Sequence, residues 1–308
     1  MATANAEFGP RNQYSAVVFD GKMWVIGGFD NEAGFRNDIW SSPDGRQWTQ
    51  VNASVGFLND RLGQSAVAFK DKIWIIGGYD GKKAAGEIWY SEDGIIWKQA
   101  TPMAEFGPRT QVSTVVFNDQ VWLIGGTRDF GNYQYLQDVW HSNDGISWTL
   151  AAPQGPLMPY MRRNLVVLDD KIWAFGVVRD LPGKPGSKRN EIWYSKNGKD
   201  WKLINSQNLF PPRDYPNPVV FDNKLWIIGD RNTSGYNVND VWYSTNGYDW
   251  KEATPAADFS FDGKFYSLAI PLAFDNKMWV IRTVSEDHRI RNDVWFTGDS
   301  QSLVRGKQ

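Results

Sequence analysis

One internal repeat constrains this chain more than any other feature. Trp24, Trp74, Trp122, Trp173, Trp226 and Trp279 each sit inside an apolar run, at intervals of 48 to 53 residues along a chain of 308. A period of that size marks a chain built from stacked supersecondary units, none of which buries its apolar face alone. Each unit holds an apolar run such as SAVVF at 15–19, a short polar turn, a second run such as MWVIGG at 23–28, a loop, and then a phrase with two tryptophans. The phrase reads IWSSPDGRQW at 39–48, IWYSEDGIIW at 88–97, VWHSNDGISW at 139–148, IWYSKNGKDW at 192–201 and VWYSTNGYDW at 241–250. The runs are short, rich in Val, Ile and aromatics, and bounded by turn residues, so they read as strands.

Between the two tryptophans lies Asp44-Gly45, Asp93-Gly94, Asp144-Gly145, Asn197-Gly198 or Asn246-Gly247. Such dipeptides favour positive φ at both central positions of a two-residue hairpin turn. The spacing therefore predicts a four-stranded antiparallel meander per unit, strands a to d, with the phrase spanning a c–d hairpin. Pro218 and Pro271 fall at equivalent positions of strand a, which makes strand a an edge strand because proline cannot donate to a ladder. Six such meanders predict an all-β chain forming a single six-bladed β-propeller, with blades at 11–52, 61–101, 109–151, 162–204, 213–254 and 266–306 and strand a facing the central tunnel.

The apolar run ending in Gly27-Gly28, Gly77-Gly78 or Gly125-Gly126, then a loop, an acidic residue, an aromatic pair and a tryptophan, resembles the kelch repeat. It is similar to the central domain of galactose oxidase and to kelch proteins of the bacterial type, and the resemblance covers nearly the whole chain. The phrase SxDGxxW also resembles the Asp box of sialidases, one residue short.

Every unit has three tryptophan slots, on strands b, c and d, as in Trp24, Trp40 and Trp48; seventeen tryptophans fill them, with Leu303 in the last. A residue present in every blade at fixed register reads as blade-to-blade packing rather than as a ligand platform. The acidic residue two positions before the strand-c tryptophan is equally regular, as Asp38, Glu87, Asp138, Glu191, Asp240 and Asp293. Its presence in every blade reads as backbone capping or pairing with an arginine, not as catalysis.

The net charge of −2 gives no global basic footprint, so nucleic acid is not an expected partner. No apolar run spans a bilayer, and MATANAEFGPR lacks the charged and apolar segments of a leader. The compartment stays open; a secreted or cell-surface setting is expected only where a leader has been trimmed. With no cysteine and two histidines in unlike positions, His141 and His288, no transition-metal or other cofactor is expected. No nucleotide-binding glycine loop or nucleophile elbow is present.

In a propeller the b–c and d–a connections share one face, and here they are the longer, irregular ones, for example 127–137, 177–190, 283–292, 52–63 and 152–163. Binding residues concentrate on such loops. Arg11, Arg61, Arg109 and Arg213 enter strand a, with Arg162 and Arg163 slightly displaced in the fourth unit; Arg128, Arg179, Arg231 and Arg282 follow strand b. In some kelch proteins the strand-a arginine binds acidic peptides at the tunnel mouth, which the resemblance extends to this set; pairing with the acidic residues is the other reading. The glycine pair becomes Gly176-Val177, Gly229-Asp230 and Arg282-Thr283 in the last three units, so the b–c connections leave strand b differently there. Asp230, Tyr133, Tyr160 and Tyr236 complete the candidate ligand set, with Phe130, Tyr135, Phe210, Phe259 and Phe261 nearby in sequence.

Arginine, carboxylate and tyrosine together suit an anionic glycan or an acidic protein surface. The sequence reads as a non-catalytic, monomeric binding module for such a partner; the alternative is a carbohydrate-active enzyme on acidic sugars, whose carboxylates would leave no local motif. ATANAEFGPR at 2–11 aligns with ATPMAEFGPR at 100–109, so the chain starts in a d–a connection. Strand d of the sixth blade is then expected from residues 302–306, leaving no blade shared between the termini.

Overall fold

A computed structural model describes residues 1–308 apart from 31, 52–60, 130–134, 156–163, 182–183, 233, 235, 258–267, 287–288 and 298–308, and omits the side chains of 179–181, 184–186, 268, 284–286 and 289–291. The fold is all-β, a six-bladed β-propeller: five antiparallel four-stranded sheets, and a sixth with three strands among the described residues. Strand a is an edge of each sheet, and it carries Pro218 and Pro271. The expected sixth-blade strand d at 302–306 lies outside the described residues.

The chain divides into two compact units. One holds Arg11–Arg162 with Ser195–Trp201, and the other Met1–Pro10, Arg163–Tyr194 and Lys202–Gln308. In the first unit, strand a of blade two (Ser65–Phe69) lies beside strand a of blade one (Ser15–Phe19) and of blade three (Ser113–Phe117). In the second, strand a of blade five (Pro218–Phe221) lies likewise between those of blades four (Asn164–Leu168) and six (Leu268–Phe274).

Side chains bridge these neighbouring strands. Ser15 Oγ donates to the Gln64 carbonyl at 2.9 Å, Ser65 and Thr114 share a hydrogen bond at 2.7 Å, and Asn164 donates to Asn217 at 2.7 Å.

The tryptophans are scaffold. All six on strand b donate their indole N–H to the carbonyl five residues earlier, as Trp24 does to Phe19 at 3.0 Å and Trp173 to Leu168 at 3.1 Å, which closes the a–b hairpin. The ring then lies on the glycine of the next blade's c–d loop: Trp24 on Gly94, Trp74 on Gly145, Trp122 on Gly198, Trp173 on Gly247. A Cβ on Gly145 would stand 2.7 Å from Trp74 Cη2, so glycine is required there for contact as well as for φ.

Two local expectations are corrected. The c–d connection is not a two-residue turn: strand c of blade one ends at Ser42 and strand d starts at Thr49. Of Asp44 and Gly45 only the glycine has positive φ. The Asp44 carboxylate instead accepts the N–H groups of Arg46 and Gln47 at 2.9 and 3.1 Å, while Ser42 Oγ accepts that of Gly45 at 2.8 Å. The carboxylate is capping a loop. Two consecutive positive φ values occur at the a–b turns, as at Asp20-Gly21, Lys70-Asp71 and Asn118-Asp119.

The b–c connections of blades four and six are not irregular either. Strands b and c are five and four residues in blade one, but span Lys171–Leu181 and Lys184–Ser195 in blade four and Lys277–Glu286 and Arg289–Thr297 in blade six. In blades one to three the glycine pair, with φ +63° and +107° at Gly27 and Gly28, turns the chain off the ladder. Without the pair the hairpin continues.

The N-terminus also contributes more than expected. Ala2 and Thr3 donate to the Val294 carbonyl at 2.7 and 3.3 Å, and Val294 donates back to Thr3 at 3.0 Å, forming an antiparallel bridge on the outer edge of sixth-blade strand c. Blade six is thus tied to the chain's beginning by backbone hydrogen bonds, not by side-chain packing alone.

Candidate functional site

Arg11, Arg61, Arg109 and Arg213 enter their blades at the b–c end and turn inward. Arg11 and Arg109 have no exposed surface, and Arg61 and Arg213 are 3% and 2% exposed. Each meets its own blade's acidic residue: Arg11 with Asp38 at 2.6 and 3.1 Å, Arg109 with Asp138 at 2.8 and 3.0 Å, Arg61 with Glu87, and Arg213 with Asp240. In blades one to three the guanidinium also donates to the carbonyl of the first paired glycine, at 3.1 Å from Arg11 to Gly27 and from Arg61 to Gly77 and at 3.0 Å from Arg109 to Gly125.

Burial alone would raise the Asp38 and Asp138 carboxyls, but the hydrogen bonds and charge of Arg11 and Arg109 more than offset it and hold both below the usual carboxylate range. The strand-c indoles complete the site, Trp40 donating to Asp38 at 2.8 Å and Trp140 to Asp138 at 2.7 Å. As placed, these arginines order the b–c ends of the blades, and ligand contact would require breaking a buried pair.

The arginines that follow strand b divide. Arg282 stands at the first glycine position of blade six, is 4% exposed and pairs with Asp293 through Nε at 2.7 Å. Strand b there supplies what strand a supplies in blades one to three and five. Arg128 is exposed and has no ion pair among the described residues. Arg179 lies within strand b of blade four, two residues before its end, with its side chain outside the described set, and Tyr133, Tyr160, Arg162, Arg163, Phe130, Phe259, Phe261 and His288 lie outside it altogether. Tyr236 is 47% exposed, whereas Phe210 is buried edge-on against Trp250 at 4.8 Å.

Blade five brings the remaining candidates together. Asp230 takes the place of the second glycine, and it keeps that glycine's backbone, with φ +88° beside +107°, +117° and +94° at Gly28, Gly78 and Gly126. It is 3% exposed and its Oδ2 accepts the Tyr215 N–H at 2.6 Å. Burial, then the charge of neighbouring Asp214, pushes its carboxyl up to about 7. Asp214, also buried, receives Lys188 Nζ at 2.6 Å, with Arg231 Nε at 4.0 Å. Lys188 comes from the extended b–c hairpin of blade four, and Asn190 beside it accepts the Arg213 N–H at 3.2 Å and donates to Phe210 at 2.7 Å.

Asp214, Lys188 and Asn190 were not among the sequence candidates. Asp214 alone had a signal, as a charge where blades one to three place Asn12, Leu62 and Thr110. Among the described residues no group of three His, Asp or Glu could hold a metal ion.

A family model described as the KLHDC2/KLHL20/DRC7 Kelch-repeats domain matches residues 1–177. The chain belongs to this kelch-repeat family. No curated protein matches the chain. The kelch match stops at Val177, the residue that replaces the second glycine in blade four. A kelch propeller is a binding and interaction fold. In this one the arginine–carboxylate pairs of blades one, two, three, five and six are internal, and departures from the repeat carry the exposed or strained chemistry.

Proposed function

We propose that this kelch propeller is a non-catalytic binding module that recognises an acidic protein surface through its b–c connections. The observation that carries the reading is Arg128: it follows strand b of blade three, is exposed, and meets no carboxylate among the described residues. Lys82 and Lys83 are exposed at the corresponding turn of blade two, where Asp80 is occupied in accepting their backbone N–H groups at 2.9 and 2.8 Å. Cations held out while nearby carboxylates are used locally favour an anionic partner.

The test is fluorescence anisotropy with a labelled oligoglutamate peptide. Binding should weaken as salt is raised, and Arg128→Glu should weaken it about ten-fold at low salt through charge reversal. Binding that ignores both salt and Arg128 would refute the reading.

Tyr236, exposed and next in sequence to Asn237, the cross-strand partner of Arg231, favours a second reading, an anionic glycan stacked on the ring. A glycan array separates the two, and released product on that array would point instead to an enzyme acting on acidic sugars.

A further inference from the structure

We propose that Asp230 is a proton-operated charge switch in the blade-five site, so that the site holds an acidic partner more tightly as pH falls from 8 to 6. This rests on the anionic-partner reading above and adds regulation to it.

Three features of Asp230 each disfavour an ionised carboxylate or this residue type. A non-glycine residue at φ +88° is strained, where blades one to three use glycine. The side chain is buried. A second buried carboxylate, Asp214, is its neighbour. Such costs collect at sites with a task.

Among the described residues the charged groups set around it come from three elements. From the segment leading into strand a come Arg213 and Asp214, from the blade-four hairpin Lys188, and from its own strand Arg231. Arg213 is neutralised by Asp240 on strand c. That leaves Lys188 and Arg231 against Asp214 and Asp230. With Asp230 ionised the set sums to zero, and with it protonated the set carries one positive charge. The carboxyl titrates near pH 7, so ordinary pH changes move the site between the two states. Arg231, 29% exposed, is the group through which the change reaches solvent.

The experiment measures oligoglutamate affinity at pH 6 and pH 8 for the full chain and for Asp230→Asn. Glutamates stay ionised over this range, so the probe's charge is constant. Asparagine is neutral, similar in shape and tolerant of positive φ. The natural chain should bind on the order of three-fold more tightly at pH 6, and Asp230→Asn should bind equally at both values, with the pH 6 affinity. Asp230→Gly, which restores the repeat residue, should be equally flat and guards against misfolding of the first variant.

If both variants keep the natural pH dependence, the switch is wrong while the anionic-partner reading stands. If the natural chain binds the probe at neither pH, the partner reading fails and takes the switch with it.

Discussion

Blade two and blade five use the same backbone at the end of strand b and put different side chains on it. Gly78 has φ +117° and Asp230 +88°, and both are followed by a connection back to strand c. In blade two the position is packed shut: a Cβ on Gly78 would lie 2.8 Å from Arg61 Cγ and 3.2 Å from Gln64 Cβ. In blade five the strand continues past it after a one-residue bulge, with Asp230 opposite Val238 and Arg231 opposite Asn237. The backbone turn is a property of the repeat, and the room for a side chain is a property of the blade. In blade five the repeat's glycine is given up where the ladder extends past it.

Placing the blade-five residue at the equivalent glycine of an early blade should break this comparison most severely. Gly28→Asp in blade one places a Cβ 2.7 Å from the Asn12 carbonyl and 2.9 Å from Tyr14 Cβ. Strain and overpacking together should cost about 3–5 kcal/mol, read as a loss of unfolding midpoint in urea. A well-folded Gly28→Asp protein within about 1 kcal/mol of the natural chain would show that all blades tolerate a side chain there.

The ion pairs give the next largest contrast. Arg109→Ala leaves the Asp138 carboxylate without its buried partner and should cost about 3–5 kcal/mol. Arg189→Ala removes a pair whose arginine is 57% exposed and should cost less than about 1 kcal/mol. Equal losses would mean that blade four, where the strand-a arginines 162 and 163 lie outside the described residues, leans on Arg189 as blade three leans on Arg109.

Much of this contrast is legible in the sequence, for a physical reason. Strands, blade order and the scaffold role of the tryptophans follow from side-chain period and fixed register, which burial imposes directly. The Asp-Gly dipeptide does not specify its turn because it serves two geometries: in a two-residue hairpin both residues take positive φ, while after a serine the aspartate caps the following N–H groups and only the glycine does. The hairpin extension of blade four is hidden because KPGSKRNE has no apolar alternation: its buried members, Asn190 and Glu191, are polar. Asp230 and Arg231 were found because they break the repeat. Lys188 was not, since its significance lies in a carboxylate of the next blade, and one sequence has no signal for that pairing.

The pH dependence of stability sharpens the comparison further. Asp38 and Asp138 titrate below the usual range, so their contribution is present above about pH 4 and is lost only in acid. Asp230 runs the other way. Its folded carboxyl lies near 7 against 3.8 for the free residue, so between those values the folded chain holds a proton that the unfolded chain has released. Stability should fall as pH rises through that window and level off above it, by up to about 4 kcal/mol if burial is fully maintained. Unfolding midpoints at pH 5 and pH 8 measure this, and Asp230→Asn should remove most of the difference. A natural chain equally stable at both values would mean that the blade-five carboxyl is solvated or fully neutralised by Lys188 and Arg231.

The smallest effect separates strain from charge. At pH 5 the Asp230 carboxyl is neutral, so Asp230→Gly changes the backbone preference and the hydrogen bonds the carboxyl accepts, that from Tyr215 among them. Relief of positive φ should gain about 1–3 kcal/mol and loss of the hydrogen bond should take back about 0.5–1.5 kcal/mol. A net gain near 1 kcal/mol is expected. At pH 8 the same substitution also removes a buried charge, so its gain should be larger there. A substitution that stabilises at both values while weakening the pH response of peptide binding would identify Asp230 as a residue kept at a cost to the fold. One that destabilises at pH 5 would instead make its bond to Tyr215 the reason the aspartate is there, with blade five having replaced the glycine's packing by a hydrogen bond of its own.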